Sequence, residues 1–254
     1  MGILDRIKKK EYKGFKEFVG NLDSSPGFKR NEIMALGMTE DPIYMSWVVK
    51  NILTMEKLSQ LNGDFFDTIT KNSETYIDVI AQSIHGTKHL GVFFEQCLSA
   101  PLGRLVKEAL KTRIVVSAED QFKAQCVLYR EFRKLQERDE AGGIAWHLPP
   151  KEIFSQKDGV DAGVVEIKLE NGKLCARGNV LNSKRTGPWS FFYETGSVLG
   201  QGSFLRGQKQ GVWTLFYPNG NNFLVGEFKN DERYGKWSIY DVKGNVTEKQ
   251  YSDD

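Results

Sequence analysis

An α+β chain in two parts, an N-terminal all-α bundle or superhelix followed by a single-layer antiparallel array of β-hairpins, is predicted from three observations. Up to about Asp139 the apolar residues recur at helical spacing. From Gly163 onward, glycine and tryptophan columns share one period of 24 residues. Between these regions Gly142-Gly143, Pro149-Pro150 and the polar run Ser155–Gly159 break both patterns. The expected domains are therefore a helical one at 1–140, a linker at 141–162 in which Trp146 and Phe154 dock onto a neighbour, and a repeat domain at 163–254.

The first helical segment carries Ile3, Leu4 and Ile7, then Phe15, Phe18 and Val19, along one face. Thr39 ahead of Glu40, Asp41 and Pro42 reads as a helix start, as does Ser73 ahead of Glu74 and the apolar series Tyr76, Ile77, Val79 and Ile80. Gly37, Gly63 and Gly86 read as stops. Helices are expected near 29–36, 40–53, 54–62, 64–72, 73–85, 88–98 and 101–112, then a long amphipathic one from Ala118 to Arg138.

In the second part Gly163, Gly187, Gly211 and Gly235 keep the 24-residue interval, and so do Gly172, Gly196, Gly220 and Gly244. Trp189, Trp213 and Trp237 follow it too. A third glycine column, Gly178, Gly202 and Gly226, stands two residues before Val180, Phe204 and Phe228. Each unit reads as a short run of strand formers closed by a turn, as in GPWSFFYETG, GVWTLFYPNG and GKWSIYDVKG, with Val165 in place of Trp in the first. Asn171-Gly172 and Asn219-Gly220 are turn dipeptides that tolerate positive φ. The glycines of the third column fall inside strands, where a missing side chain leaves room for an aromatic ring of the next strand.

Four such units resemble the MORN repeat family, especially its bacterial variant with G-x-W-x-x-[YF]-[YF]-x-x-G units. The likeness spans roughly Gly163 to Tyr251 and departs from the YEGEW form, because here Trp begins the strand and Tyr precedes the turn. In the last unit Tyr240 also falls one place before the column of Tyr193 and Tyr217. The resemblance implies stacked hairpins used for association, and no reaction.

Composition narrows the function classes. With 35 Lys+Arg against 33 Asp+Glu the net charge is +2, which argues against a dedicated nucleic-acid binder. Cys97, Cys126 and Cys175 are an odd, scattered set without a C-x-x-C pair, so a reducing, cytoplasmic setting is expected. No apolar run of the roughly 18 residues needed to span a bilayer occurs. His85 and His89 have a metal-like spacing but enclose Gly86-Thr87 and lack a general-base Glu. No phosphate loop or catalytic carboxylate pair is apparent, so neither cofactor nor metal is expected and the chain reads as no enzyme.

Two features are candidates for binding. Arg185, Lys209 and Arg233 recur at the repeat interval beside the hairpin bends. Equivalent bends lie two strands apart, about 9–10 Å, so the three cations are expected to form an exposed ladder along one edge. Tyr193, Tyr217 and Phe191 are expected to line a neighbouring aromatic groove, while the three Trp bury one another. The combination suits an acidic or phosphorylated segment of a protein partner. The expectation is a bacterial, cytoplasmic interaction or scaffold protein. Two alternatives stand beside it. One is a peripheral membrane adaptor using the basic N-terminal helix (Arg6, Lys8, Lys9, Lys10, Lys13, Lys16) and the repeat bends. The other is an enzyme with an unfamiliar site in the helical half.

Overall fold

The computed structural model describes residues 3–61, 64–71, 75–112, 116–138, 145–151 and 161–251. The expected helix start at Ser73, the stop at Gly63, the Gly142-Gly143 break, and Phe154 with the run after it lie outside the described residues. The architecture is α+β: helices come first, then one all-antiparallel sheet of eight strands in sequential order. The helices are α1 (Ile3–Lys8), α2 (Glu11–Asp23), α3 (Gly27–Glu40), α4 (Pro42–Asn51), α5 (Met55–Leu58), α6 (Asp64–Thr70), α7 (Thr75–Ile84), α8 (Leu90–Val92), which continues as a π-turn over Phe93–Cys97, α9 (Ala100–Thr112) and α10 (Ala118–Glu137). The strands are β1 (Ala162–Lys168), β2 (Leu174–Leu181), β3 (Lys184–Phe192), β4 (Val198–Leu205), β5 (Gln208–Phe216), β6 (Asn222–Lys229), β7 (Glu232–Tyr240) and β8 (Val246–Tyr251). No helix among the described residues is long and apolar enough to cross a membrane.

Two compact units interleave along the chain. One contains Met1–Gly14, Asn31–Trp47 and Pro149–Asp254; the other contains Phe15–Arg30 and Val48–Leu148. The sheet therefore shares its unit with early helices, which supply a layer that the sequence pattern did not assign to it. One of them is α3, whose Ala35 joins the sheet's buried cluster with Leu36 and Met38 packed against it. Gly37 does not end this helix, because α3 runs on to Glu40. A Cβ at Gly37 would lie 2.8 Å from the Met45 sulfur, so glycine serves close helix packing here. Nor does Thr39 start α4: its hydroxyl donates to the Leu36 carbonyl inside α3, and Asp41 accepts the Tyr44 N–H as the cap ahead of Pro42.

In the other unit, Phe65, Phe66, Phe93 and Phe132 pack edge-to-face at the centre of a core to which α7 and α10 contribute Ile80, Ile84, Leu128 and Leu135. A buried ion pair pins it. Asp23 accepts from the Leu53 N–H (2.7 Å) and from Arg133 Nε (2.8 Å), while Arg133 also donates to the Asn51 carbonyl and to Gln136. Burial still raises the Asp23 pKa, the Arg133 charge offsetting it only in part. The guanidinium lies 4.3 Å from the Trp146 ring centroid, and Phe15 meets the same ring edge-on, so Trp146 is held within this unit.

The apolar stripe of the N-terminal segment is used for packing. Leu4 is 3% exposed in the first unit, and Phe15, Phe18 and Val19 are buried in the second. These four side chains of the stripe are therefore committed to protein cores.

Candidate functional site

Within the sheet the 24-residue period is a packing rule. Trp189, Trp213 and Trp237 are each 1% exposed and face Gly178, Gly202 and Gly226 on the neighbouring strand, where any Cβ would overlap the indole. Each indole N–H donates to a backbone carbonyl ten residues earlier, at Asn179, Ser203 and Glu227 (2.9, 3.2 and 3.1 Å). Those carbonyls border the register breaks between β2 and β3, β4 and β5, and β6 and β7. Gly187, Gly211 and Gly235 sit at these breaks with φ of 63, 68 and 64°, the left-handed conformation of a bulge glycine. Rings then alternate without interruption along the inner face. Trp189–Phe204, Phe204–Trp213, Trp213–Phe228 and Phe228–Trp237 are all edge-to-face at 5.9, 5.2, 6.0 and 5.0 Å.

The cationic ladder lies on this same inner face and is not an exposed edge. The strands begin at Lys184, Gln208 and Glu232, three residues before the glycine that the sequence pattern took as their start. Two-residue turns with positive φ at both positions precede them: Asn182-Ser183, Arg206-Gly207 and Asn230-Asp231. The second residue of each strand therefore already points inward, sharing the face of the Trp four positions on. Arg185 lies over Trp189 (4.6 Å), Lys209 over Trp213 and Phe228 (5.6 and 5.5 Å), and Arg233 over Trp237 (4.7 Å). Their polar ends meet α3: Arg185 donates to the Thr39 carbonyl at 2.9 Å, Lys209 approaches Glu40 at 3.9 Å, and Arg233 pairs with Glu32 at 2.7 Å. Two glutamates and a backbone carbonyl of a helix of the same chain thus occupy the place expected for an acidic partner.

The aromatic groove is likewise absorbed. Phe191 is 1% exposed, and Tyr193 and Tyr217 pack against the same cluster. Their hydroxyls donate to the Phe216 and Tyr240 carbonyls at 2.7 Å, stapling each hairpin to the next. Burial pushes the Tyr193 hydroxyl up to about 12. In the last unit Asp241 takes this column and caps its own turn, accepting from the N–H groups of Lys243 and Asn245. Tyr240 instead continues the column of Phe192 and Phe216, so the apparent slip is a change of partner.

Lys209 is the ladder's most enclosed member, at 4% exposure. Desolvation pulls its pKa below the ordinary lysine value, with Glu40 and Asp231 restoring part of it. A lysine whose folded pKa is depressed carries a stability cost at neutral pH, and that cost fades as pH rises from the folded toward the unfolded pKa near 10.4. Lys209→Met is accordingly expected to raise stability at pH 7 by about 1 kcal/mol, since a buried cation gives way to an apolar chain of similar volume. Glu40 keeps the Leu4 N–H as a donor, so it is not stranded. Denaturant titrations of both proteins from pH 7 to 10 should show the advantage shrinking with pH. A variant less stable than the wild type at every pH would mean that the ammonium's ring contacts outweigh its desolvation.

The outer face is the surface left to solvent. Strand alternation places Arg177, Ser190, Gln201, Thr214, Val225, Ser238 and Glu248 in one cross-strand row, each facing the next in register. Beside it stand Phe192, Phe216 and Tyr240, half-buried, at the repeat interval and outside the buried cluster. Val212 is 66% exposed on this face. The Phe192 column lies outside the expected binding set because Trp dominates the pattern; its signal is the same 24-residue period at the opposite parity.

Elsewhere, His85 follows α7 and His89 precedes α8, with Gly86 at φ 63° between them, so the two do not share a helical face. Among the described residues no group of three metal-ligating side chains converges. Cys97 and Cys175 are buried, which pushes both thiols up to about 11, and the Cys97 thiol donates to the Ser59 carbonyl. No family model matches the chain, and no curated protein matches it.

Proposed function

We propose that this chain is a non-catalytic interaction protein of the bacterial cytoplasm, built on a MORN-like hairpin array, and that a protein partner is met on the outer face of the sheet. One observation carries the reading: Phe192, Phe216 and Tyr240 repeat on the solvent side without contributing to the buried cluster. The inner columns each have a packing duty, from glycine under indole to tyrosine on carbonyl. Among the described residues the outer aromatic column joins neither buried cluster, and aromatic residues flanked by hydroxyl groups (Ser190, Thr214, Ser238) are typical anchors of protein interfaces. Rungs on alternate strands lie about 9–10 Å apart, a span that an extended or helical segment of a partner can bridge.

The test is comparative capture by the full-length chain and by a Phe192→Ser/Phe216→Ser/Tyr240→Ser variant, with circular dichroism as the folding control. Truncating an interface anchor costs about 2 kcal/mol or more, roughly thirtyfold in affinity. The triple variant should therefore lose any partner that the parent retains. Equal capture by both proteins would move the partner to another surface.

A further inference from the structure

The outer face of the sheet is graded in charge from one end to the other. Lys184, Gln208 and Glu232 open β3, β5 and β7, all exposed and spaced by the 24-residue repeat. Strand alternation puts them on the outer face, because the next residue of each strand belongs to the inward-facing ladder. A second row runs in the same sense, from Arg177 on β2 through Thr214 on β5 to Glu248 on β8. Both rows carry a cation toward β1, a neutral residue on β5 and an anion toward β8. The aromatic column has the same centre, with Phe216 on β5 between Phe192 and Tyr240. Val212, also on β5, is 66% exposed.

A half-turn about an axis along β5 therefore lays this face onto itself with opposite charges meeting. Then β3 faces β7 of the other copy and β4 faces β6, so Lys184 meets Glu232 and Phe192 meets Tyr240, while Phe216 and Val212 each meet their own counterpart. Glu227, Lys229 and Lys236 fall opposite Ser203, Leu205 and Pro188, so like charges stay apart. An axis across the strands would instead set the cationic end on the cationic end. Arg177 and Glu248 have neighbours of their own, Glu166 at 3.9 Å and Lys236 at 2.6 Å, so Lys184 and Glu232 are the discriminating pair.

We propose that the protein partner of the outer face is a second copy of this chain, packed face to face about that axis. This names the partner of the site proposed above and rests on that reading. The area suffices for a stable dimer. Eight strands of 6–9 residues make a face of about 35 by 25 Å. Two such faces bury about 1,700 Å² in all, the size of a standard stable interface. Sheets stacked in this aligned way, about 30° apart, interdigitate their side chains as in a β-sandwich.

Sedimentation of the full chain is expected to show a monomer–dimer equilibrium. Val212→Glu brings two carboxylates together at the axis and should weaken the dimer at least about a hundredfold, with circular dichroism unchanged because the residue is exposed. Lys184→Glu alone and Glu232→Lys alone each set like charges together twice per dimer and should weaken it about tenfold or more. Mixing these two variants should restore the parental affinity, because both cross-copy contacts then join opposite charges. A folding defect would not be rescued by mixing. A monomer at every concentration up to about 0.1 mM would overturn the proposal, as would a dimer indifferent to Val212→Glu or no recovery on mixing. If the chain stays monomeric while Phe192→Ser/Phe216→Ser/Tyr240→Ser loses a different captured protein, the second copy is refuted and the outer face stands.

Discussion

Reversing the ladder, with Arg185→Glu, Lys209→Glu and Arg233→Glu together, is expected to unfold the sheet-bearing unit. On an exposed edge the same change would cost at most about 1 kcal/mol per rung. The three side chains instead lie between aromatic rings and α3. Glu at 209 would stand 4% exposed beside Trp213 and Phe228 with the like-charged Glu40 nearby, and an unpaired buried charge costs several kcal/mol. Glu at 233 would face Glu32 where a 2.7 Å ion pair stood, and Glu at 185 would approach the Thr39 carbonyl, an acceptor with no donor left to receive. A carboxylate over the negative face of an indole adds repulsion where there was attraction. The sum reaches the whole stability of a typical domain, about 5–15 kcal/mol. Near-ultraviolet circular dichroism, which follows the fixed tryptophans, should collapse at neutral pH. A folded triple variant would require the ladder to swing out to solvent.

The contrast with the exposed edge expected from sequence has a definite origin. The glycine and tryptophan columns were legible because each needs the same residue type in every unit. The glycine under the indole was foreseeable from strand pairing alone. What the pattern did not yield was where each strand begins. Taking Gly187 as the start places Arg185 in a bend; starting at Lys184 places it on the Trp189 face. Parity carried this information, since Arg185, Gly187 and Trp189 are two residues apart and strands alternate by two. The bulge at Gly187 obscured it. The partners of the ladder were beyond reach for another reason. Arg185 and Thr39 are 146 positions apart, and Asp23 and Arg133 are 110 apart, so no local spacing signals either contact. Helix positions came through well because apolar periodicity and caps are local, and the errors at Gly37 and Thr39 arose where tertiary packing took over a residue that also serves as a helix signal.

Gly202→Val is expected to be the most damaging single change in the array. The position is an ordinary strand residue without positive φ, so its requirement for glycine is purely steric. Its Cβ would fall inside the Trp213 ring, and that ring cannot step aside. It is 1% exposed, packed edge-on to Phe204 at 5.2 Å and to Phe228 at 6.0 Å, and tied by its N–H to the Ser203 carbonyl. Yielding would break the chain of rings on both sides and uncover Lys209, which rests on the same indole. Overpacking a core commonly costs about 1–3 kcal/mol, and displacing a fully buried tryptophan about 3–5 kcal/mol. Valine should therefore cost at least about 3 kcal/mol. Gly202→Ala should cost nearly as much, because the first carbon already overlaps the ring. Pairing Gly202→Ala with Trp213→Leu offers a check on the mechanism. The double variant should be more stable than the sum of the two single losses by about 1 kcal/mol or more, since the smaller side chain makes room for the added methyl. Strict additivity in a double-mutant cycle, measured by urea unfolding, would place the glycine's role somewhere other than under the indole.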